Sequence, residues 1–162
     1  MGLFRQGYTI EHPGIGKYEA AVREFAGWVG LDALALLEGQ TFEIGGVFLR
    51  LLHYGVSDPY GATVVVDYGE FGAENEAIIL RRLLEHNLQT PAGRLGYFSL
   101  APGLRRMLYC IRVELEWTED GADAIANVVG FAVESIRAMC LSILQQMDDM
   151  QDKGLRAHAQ AI

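Results

Sequence analysis

The residues with the most chemical promise are Gly14-Ile15-Gly16-Lys17, a glycine–lysine run of the kind that can cradle phosphate. A phosphate-binding loop needs a further Gly five positions before its second Gly, and a Ser or Thr after the Lys to hold magnesium. Here Glu11 and Tyr18 occupy those positions, so the run reads as a lead-in whose Pro13 and Gly16 punctuate a helix start. Four histidines, His12, His53, His86 and His158, are scattered along the chain, and none has the i, i+4 partner that sets two imidazoles on one helix face for a metal. His53 alternates with Leu51 and Leu49 and reads as a packed or edge side chain. The acidic pairs Glu119-Asp120 and Asp148-Asp149 fall at helix ends or on polar helix faces, where solvation explains them. None of Ser57, Ser99, Ser135 and Ser142 sits in a G-x-S-x-G elbow. Neither Cys110 nor Cys140 has a His or Lys beside it to favour a thiolate. The spacing therefore points to no enzyme, no metal and no cofactor.

Binding remains, and composition narrows its partners. The chain has 162 residues, enough for one domain with a sizeable core, and is 51% hydrophobic and 21% charged, as folded domains are. A net charge of −8 argues against nucleic acid, whose phosphates need clustered Lys and Arg. The pairs Arg81-Arg82 and Arg105-Arg106 make a local rim and no groove. No apolar run approaches the ~20 residues of a membrane span, so no membrane insertion is expected. The opening MGLFRQGYTI lacks a secretory h-region, and Gln6 stands where a myristoylation signal wants Ser or Thr, which together predict a cytoplasmic protein. Cys110 and Cys140 have no CxxC spacing and read as reduced, packed side chains.

The elements that position these residues follow from periodicity. Residues 1–15 predict a flexible arm. A first helix runs from about Lys17 to Val29, with Tyr18, Val22, Phe25 and Val29 on one stripe and Gly30 at its end. From Thr41 the period becomes two: Phe42 and Ile44 face one way, Gly45-Gly46 turns, and Val47–Leu52 returns as a strand. A turn over Val56–Gly61 leads into a Val-rich strand, Ala62 to Tyr68. A second helix fits Glu74 to Leu88, with Ala77, Leu80, Leu84 and Leu88 on one side and Ile79 and Leu83 widening the apolar arc. Two more strands follow, Arg94 to Leu100 and about Arg105 to Trp117. In the longer one Met107, Tyr109, Ile111, Val113, Leu115 and Trp117 alternate inward. The last helix starts after Asp120 as N-cap and carries Ala122, Ile125, Val129, Val133, Ile136, Cys140, Ile143, Leu144 and Met147 on one stripe. The fold class is α+β, a curved five-stranded antiparallel sheet with three helices in the order α-β-β-β-α-β-β-α. Residues 16–152 form one domain, and 153–162 a frayed tail.

More apolar surface is present than these elements cover. The arc on the second helix is wider than one sheet needs, Ile78 lies off it, Phe131 and Leu141 fall outside the stripe of the third helix, and Leu108 and Cys110 sit on the polar face of the long strand. Several such residues on neighbouring elements favour a protein interface, most often oligomerisation.

The most specific segment is Val64-Val65-Val66-Asp67-Tyr68-Gly69, a short linker, then Ile79-Leu80-Arg81-Arg82-Leu83-Leu84-Glu85-His86-Asn87-Leu88. A strand ending in Asp-x-Gly before a helix ending Leu-Leu-x-x-Asn resembles the class I type III secretion chaperones of the CesT (Tir chaperone) family. The strands Gly93–Leu100 and Leu108–Val113, the helix Lys17–Leu31 and the hairpin Thr41–Leu51 resemble the corresponding family elements, and the likeness spans about Tyr18 to Leu144. The arm before Lys17 is longer than the family's, and the last helix lacks a Trp often found there.

The resemblance implies a cytosolic homodimer, without nucleotide or metal, that binds an extended N-terminal segment of a secreted effector and keeps it export-competent. Carried over by position, the dimer would use Leu80, Leu83, Leu84, Leu88 and Phe98. The effector would lie on Phe25, Trp28, Val29, Phe42, Phe48 and Leu52, of which Trp28 and Phe48 stand off the buried stripes of their elements. An extended peptide can add to a sheet edge through main-chain bonds while its side chains fill apolar pockets. Two other functions stay open on the sequence: a chaperone-like regulatory or assembly module that binds a folded partner, and a small α+β enzyme.

Overall fold

The computed structural model describes residues 12–89, 96–116, 119–136 and 138. Helix α1, Pro13–Val29, begins four residues before the predicted Lys17. His12 caps it, its Nδ1 accepting from Gly14 N–H at 3.2 Å, and Pro13 takes the first turn, where its missing N–H costs nothing. Gly30 ends the helix in the left-handed region at φ 72°, returning its N–H to Ala26 O. A short helix the periodicity did not predict follows, α2 at Ala33–Leu37. Asp32 caps it through Leu34 N–H at 2.9 Å, and it places Leu36 in the core.

The hairpin of β1 (Phe42–Ile44) and β2 (Val47–His53) turns on Gly45 and Gly46. Both have positive φ, as the tight turn between right-twisted strands requires. A 3-10 turn leads to β3 (Gly61–Glu70), and a second leads to α3 (Glu76–Gln89). Strands β4 (Tyr97–Leu100) and β5 (Arg106–Glu114) follow. Then α4 (Gly121–Phe131) begins under its Asp120 cap and passes into a π-helical turn at Ala132–Ile136. The predicted strand and helix order therefore stands, with α2 inserted.

The sheet is open and antiparallel throughout, in the order β1-β2-β3-β5-β4, which leaves β1 and β4 as its edges. One face carries Leu49, Leu51, Val64, Val66, Tyr109 and Ile111. These form a single buried cluster with Tyr18, Val22 and Phe25 of α1, Leu36 of α2, Ile79 and Leu83 of α3, and Ile125 and Val129 of α4. The described helices thus gather on one face, and helix and strand periods meet in one core. Alternation along β5 holds from Met107 to Leu115, all buried.

Several expectations fall outside the described residues. They are residues 1–11 of the arm, Arg94 and Leu95 of the fourth strand, Trp117, positions 140–147 of the last helix (Cys140 and Leu141 among them), Asp148-Asp149, and the tail 153–162.

Candidate protein-binding surfaces

Both halves of the Asp-x-Gly and Leu-Leu-x-x-Asn pattern have a structural task. Asp67 Oδ1 accepts from Gly69 N–H at 2.9 Å, and Arg106 Nε reaches both carboxylate oxygens at 2.7 and 2.9 Å. These bonds sit where the β3–β5 register shifts between Asp67 and Glu70, and Gly69 takes φ 86° there. On α3, the Asn87 carboxamide accepts from Phe98 N–H at 2.7 Å and donates to Phe98 C=O at 3.0 Å. The helix is thereby fastened along the outer edge of β4.

That fastening decides which side of α3 is free. Leu83 is buried in the core beside Ile79, Leu80 is half-buried, and Phe98 is buried with its ring 4.6 Å from that of Tyr109. Leu83 and Phe98 thus offer little surface to a second chain, because both lie in the core between α3 and the sheet. Leu84 is 66% and Leu88 88% exposed, and Ile78 lies beside them at 41%. Leu84, Ala77, Leu88, Arg81 and Ile78 share one side of the helix at its 100° step, and a cleft of about 480 Å³ lies along Ala77, Ile78, Arg81, Arg82 and Glu85. The wide arc therefore splits into a covered half and a bare half.

The residues assigned to an effector divide in the same way. Phe25 and Phe42 are buried and meet edge to face at 6.5 Å, so neither is available to a partner. Trp28 at 52%, Val29 at 41% and Phe48 at 50% are exposed, and Leu52 is half-buried. Trp28 and Val29 end the helix that covers one sheet face, whereas Phe48 and Leu52 belong to the opposite face. Edge strand β1 touches α1 through Phe42, which packs against Phe25 one turn before Trp28 and Val29, and on the other face Glu43 pairs with Phe48. The sequence reading missed Tyr97, 54% exposed on Phe48's side of the sheet, where it stands opposite Cys110. Its signal was the alternation that buries Phe98. Burial pushes the Cys110 thiol above its ordinary range, which fits the packed side chain expected.

The other chemical groups are held by local structure. Gly14 lies so close to the Pro59 carbonyl that a Cβ would overlap it, so the glycine serves packing in α1's first turn. Lys17 Nζ donates to Glu116 O at 3.1 Å. His53 stacks on Tyr18 at 4.3 Å, its Nδ1 accepts from Gly55 N–H and its Nε2 lies 3.2 Å from Pro59 O. Each predicted basic pair is matched by carboxylates: Arg81 and Arg82 by Glu85, Arg105 by Glu76, and Arg106 by Asp67. Arg112 crosses the close-packed Gly61 to Asp58 and also holds Glu114, and its hydrogen bond keeps the Asp58 carboxyl below the ordinary range. Among the described residues no cluster of His, Cys, Asp or Glu could hold a metal ion, and no helix is long and apolar enough to cross a membrane.

No protein-family model matches the chain, and no curated protein matches it significantly. Among solved structures, the ExsC–ExsE complex is similar over 75% of this chain and 94% of that chain, at 16% identity and a TM-score of 0.43. The α+β assignment rests on the sheet and helices themselves.

Proposed function

We propose that this chain is a cytoplasmic, homodimeric export chaperone that binds an extended N-terminal segment of a secreted effector and holds it unfolded, without catalysis. The observation that carries this is the exposed apolar surface beside a sheet edge that no described strand pairs. Phe48 stands beside β1, and Trp28 and Val29 lie one helical turn beyond Phe25, which meets Phe42 of β1; a strand laid along β1 would gain main-chain bonds there while its alternate side chains met apolar residues. The bare half of α3, with Leu84 and Leu88, is the surface for a second copy. Its Arg81 and Glu85 place opposite charges beside the leucines, which favours a self-complementary contact about a two-fold axis. The Asp-x-Gly and Leu-Leu-x-x-Asn resemblance gives the client its class.

The test is affinity recovery of the full-length protein from a cell with a type III system, followed by protease mapping of what is bound. One dominant secreted protein, protected only over an unfolded N-terminal stretch, supports the function. Protection of a folded domain would instead make the chain a regulatory or assembly module. Recovery of no secreted protein, with normal effector levels in a deletion strain, rules export chaperoning out.

A further inference from the structure

The sheet has two edges, and they are treated differently. In the β4–β5 ladder, Ala101 N–H bonds Arg106 O, so Tyr97, Ser99 and Ala101 turn their main-chain groups toward β5 while Phe98 and Leu100 turn theirs outward. The outward pair at Phe98 is the one that Asn87 engages, its carboxamide donating to the C=O and accepting from the N–H. A carboxamide has the donor and acceptor of a peptide unit, so Asn87 occupies the place of a neighbouring strand. The His86 ring lies 5.1 Å from Phe98 and secures the same turn of α3 over β4. At the opposite edge, Ile44 and Val47 flank the two-residue turn as a bonded pair, so Ile44 and Phe42 turn their main-chain groups toward β2 and leave those of Glu43 outward. Glu43 is exposed, and among the described residues no side chain bonds its main chain. An unpaired edge is a template for another strand, and proteins close the edges they do not use.

We propose that Asn87 is the specificity-determining residue for strand addition, closing β4 so that an incoming extended segment pairs only along β1. This rests on strand addition being the binding mode proposed above. The closure is a property of the free protein, so it can be measured with no client present, and its failure is distinguishable from failure of the chaperone function.

The experiment compares the full-length wild type with Asn87→Ala by amide hydrogen exchange and light scattering over a concentration series. Amides of Val64 and Tyr109, deep in the ladder, report that the fold is kept. In the folded variant, Phe98 N–H exchange at low concentration quickens about tenfold, the equivalent of one lost hydrogen bond. At high concentration the variant associates beyond the wild-type state and the Phe98 amide regains protection, because the opened edges pair. A folded variant with unchanged Phe98 exchange, or with quickened exchange and no added association, overturns the proposal. If Asn87→Ala loses the Val64 and Tyr109 protection, Asn87→Asp decides. It keeps an acceptor for Phe98 N–H, sets oxygen against its carbonyl and should associate too, and a folded monodisperse Asp variant overturns the proposal equally.

Discussion

Arg106 directs its Nε at both carboxylate oxygens of Asp67, at 2.7 and 2.9 Å, across the point where the β3–β5 register shifts. The Asp67 side chain is only 7% exposed, so its charge relies on this partner and on Gly69 N–H. Replacing Gly69 by Ala forces a Cβ into φ 86° and is expected to cost about 1–2 kcal/mol in urea unfolding. Asp67→Ala and Arg106→Ala should each lower the midpoint. The double variant should lose less than the sum, because each single change removes the same bond. Strict additivity would show that the pair does not couple.

Asp58 gives stability a dependence on acid. The Arg112 hydrogen bond, the largest influence, holds the carboxyl below its ordinary 3.8, with the Arg112 charge, His53 and Gly61 N–H adding to it and burial opposing. A depressed folded pKa means that the contribution is whole above 3.8 and is lost as pH falls through the folded value. Denaturation midpoints measured from pH 6 to pH 2 should fall in wild type and fall less steeply in Asp58→Asn. Parallel curves would refute the assignment.

Much of this was legible because period and caps are local. Met107, Tyr109, Ile111 and Val113 alternate, so β5 could be read directly, and Asp120 marked the start of α4. The start of α1 was not legible, because Gly14 and Gly16 disfavour helix and only packing against Pro59, distant in sequence, makes Gly14 necessary. Helix α2 spans five residues, too few for a 3.6-residue period to declare itself. Periodicity also yields the width of an apolar arc but not which part a neighbour covers. Hence Leu83 and Phe98 were placed at an interface, and Phe25 and Phe42 against a partner, when the fold buries all four.

The two halves of α3 should separate cleanly by mutation. Leu84→Asp and Leu88→Asp alter exposed positions, so helicity should persist and stability should change by about 0.5 kcal/mol or less, while light scattering reports a monomer. Leu83→Asp should unfold the chain, since it buries a charge in the core. A persistent dimer in the Leu84→Asp, Leu88→Asp double variant would move the interface off this helix.

Tyr18 makes an opposite prediction at alkaline pH. Its ring is buried against His53, its hydroxyl finds no partner among the described residues, and burial pushes its pKa from 10.0 up to about 12. A raised folded pKa leaves stability whole below pH 10 and erodes it as pH climbs toward 12, because the unfolded chain ionises first. Tyr18→Phe removes both the unpaired hydroxyl and the titration. It should be at least as stable as wild type at pH 7, by up to about 1–3 kcal/mol, and should lose less on raising the pH to 11. A less stable Phe variant would mean that the hydroxyl has a partner.

The proposed client surface can be tested apart from the fold. Trp28 and Phe48 stand on opposite sides of the sheet, and a strand along β1 could reach both only if its alternate side chains pointed to opposite faces, as they do in an extended chain. Trp28→Ala and Phe48→Ala should therefore each weaken effector binding, with the double variant weaker still, at nearly unchanged thermal stability. Phe25→Ala should lose about 3–5 kcal/mol of stability, because it opens a cavity against Phe42. Binding measured by calorimetry with the mapped effector segment decides the matter. Sensitivity to Trp28 alone would confine the client to the α1 side, and sensitivity to neither would remove β1 as the docking edge.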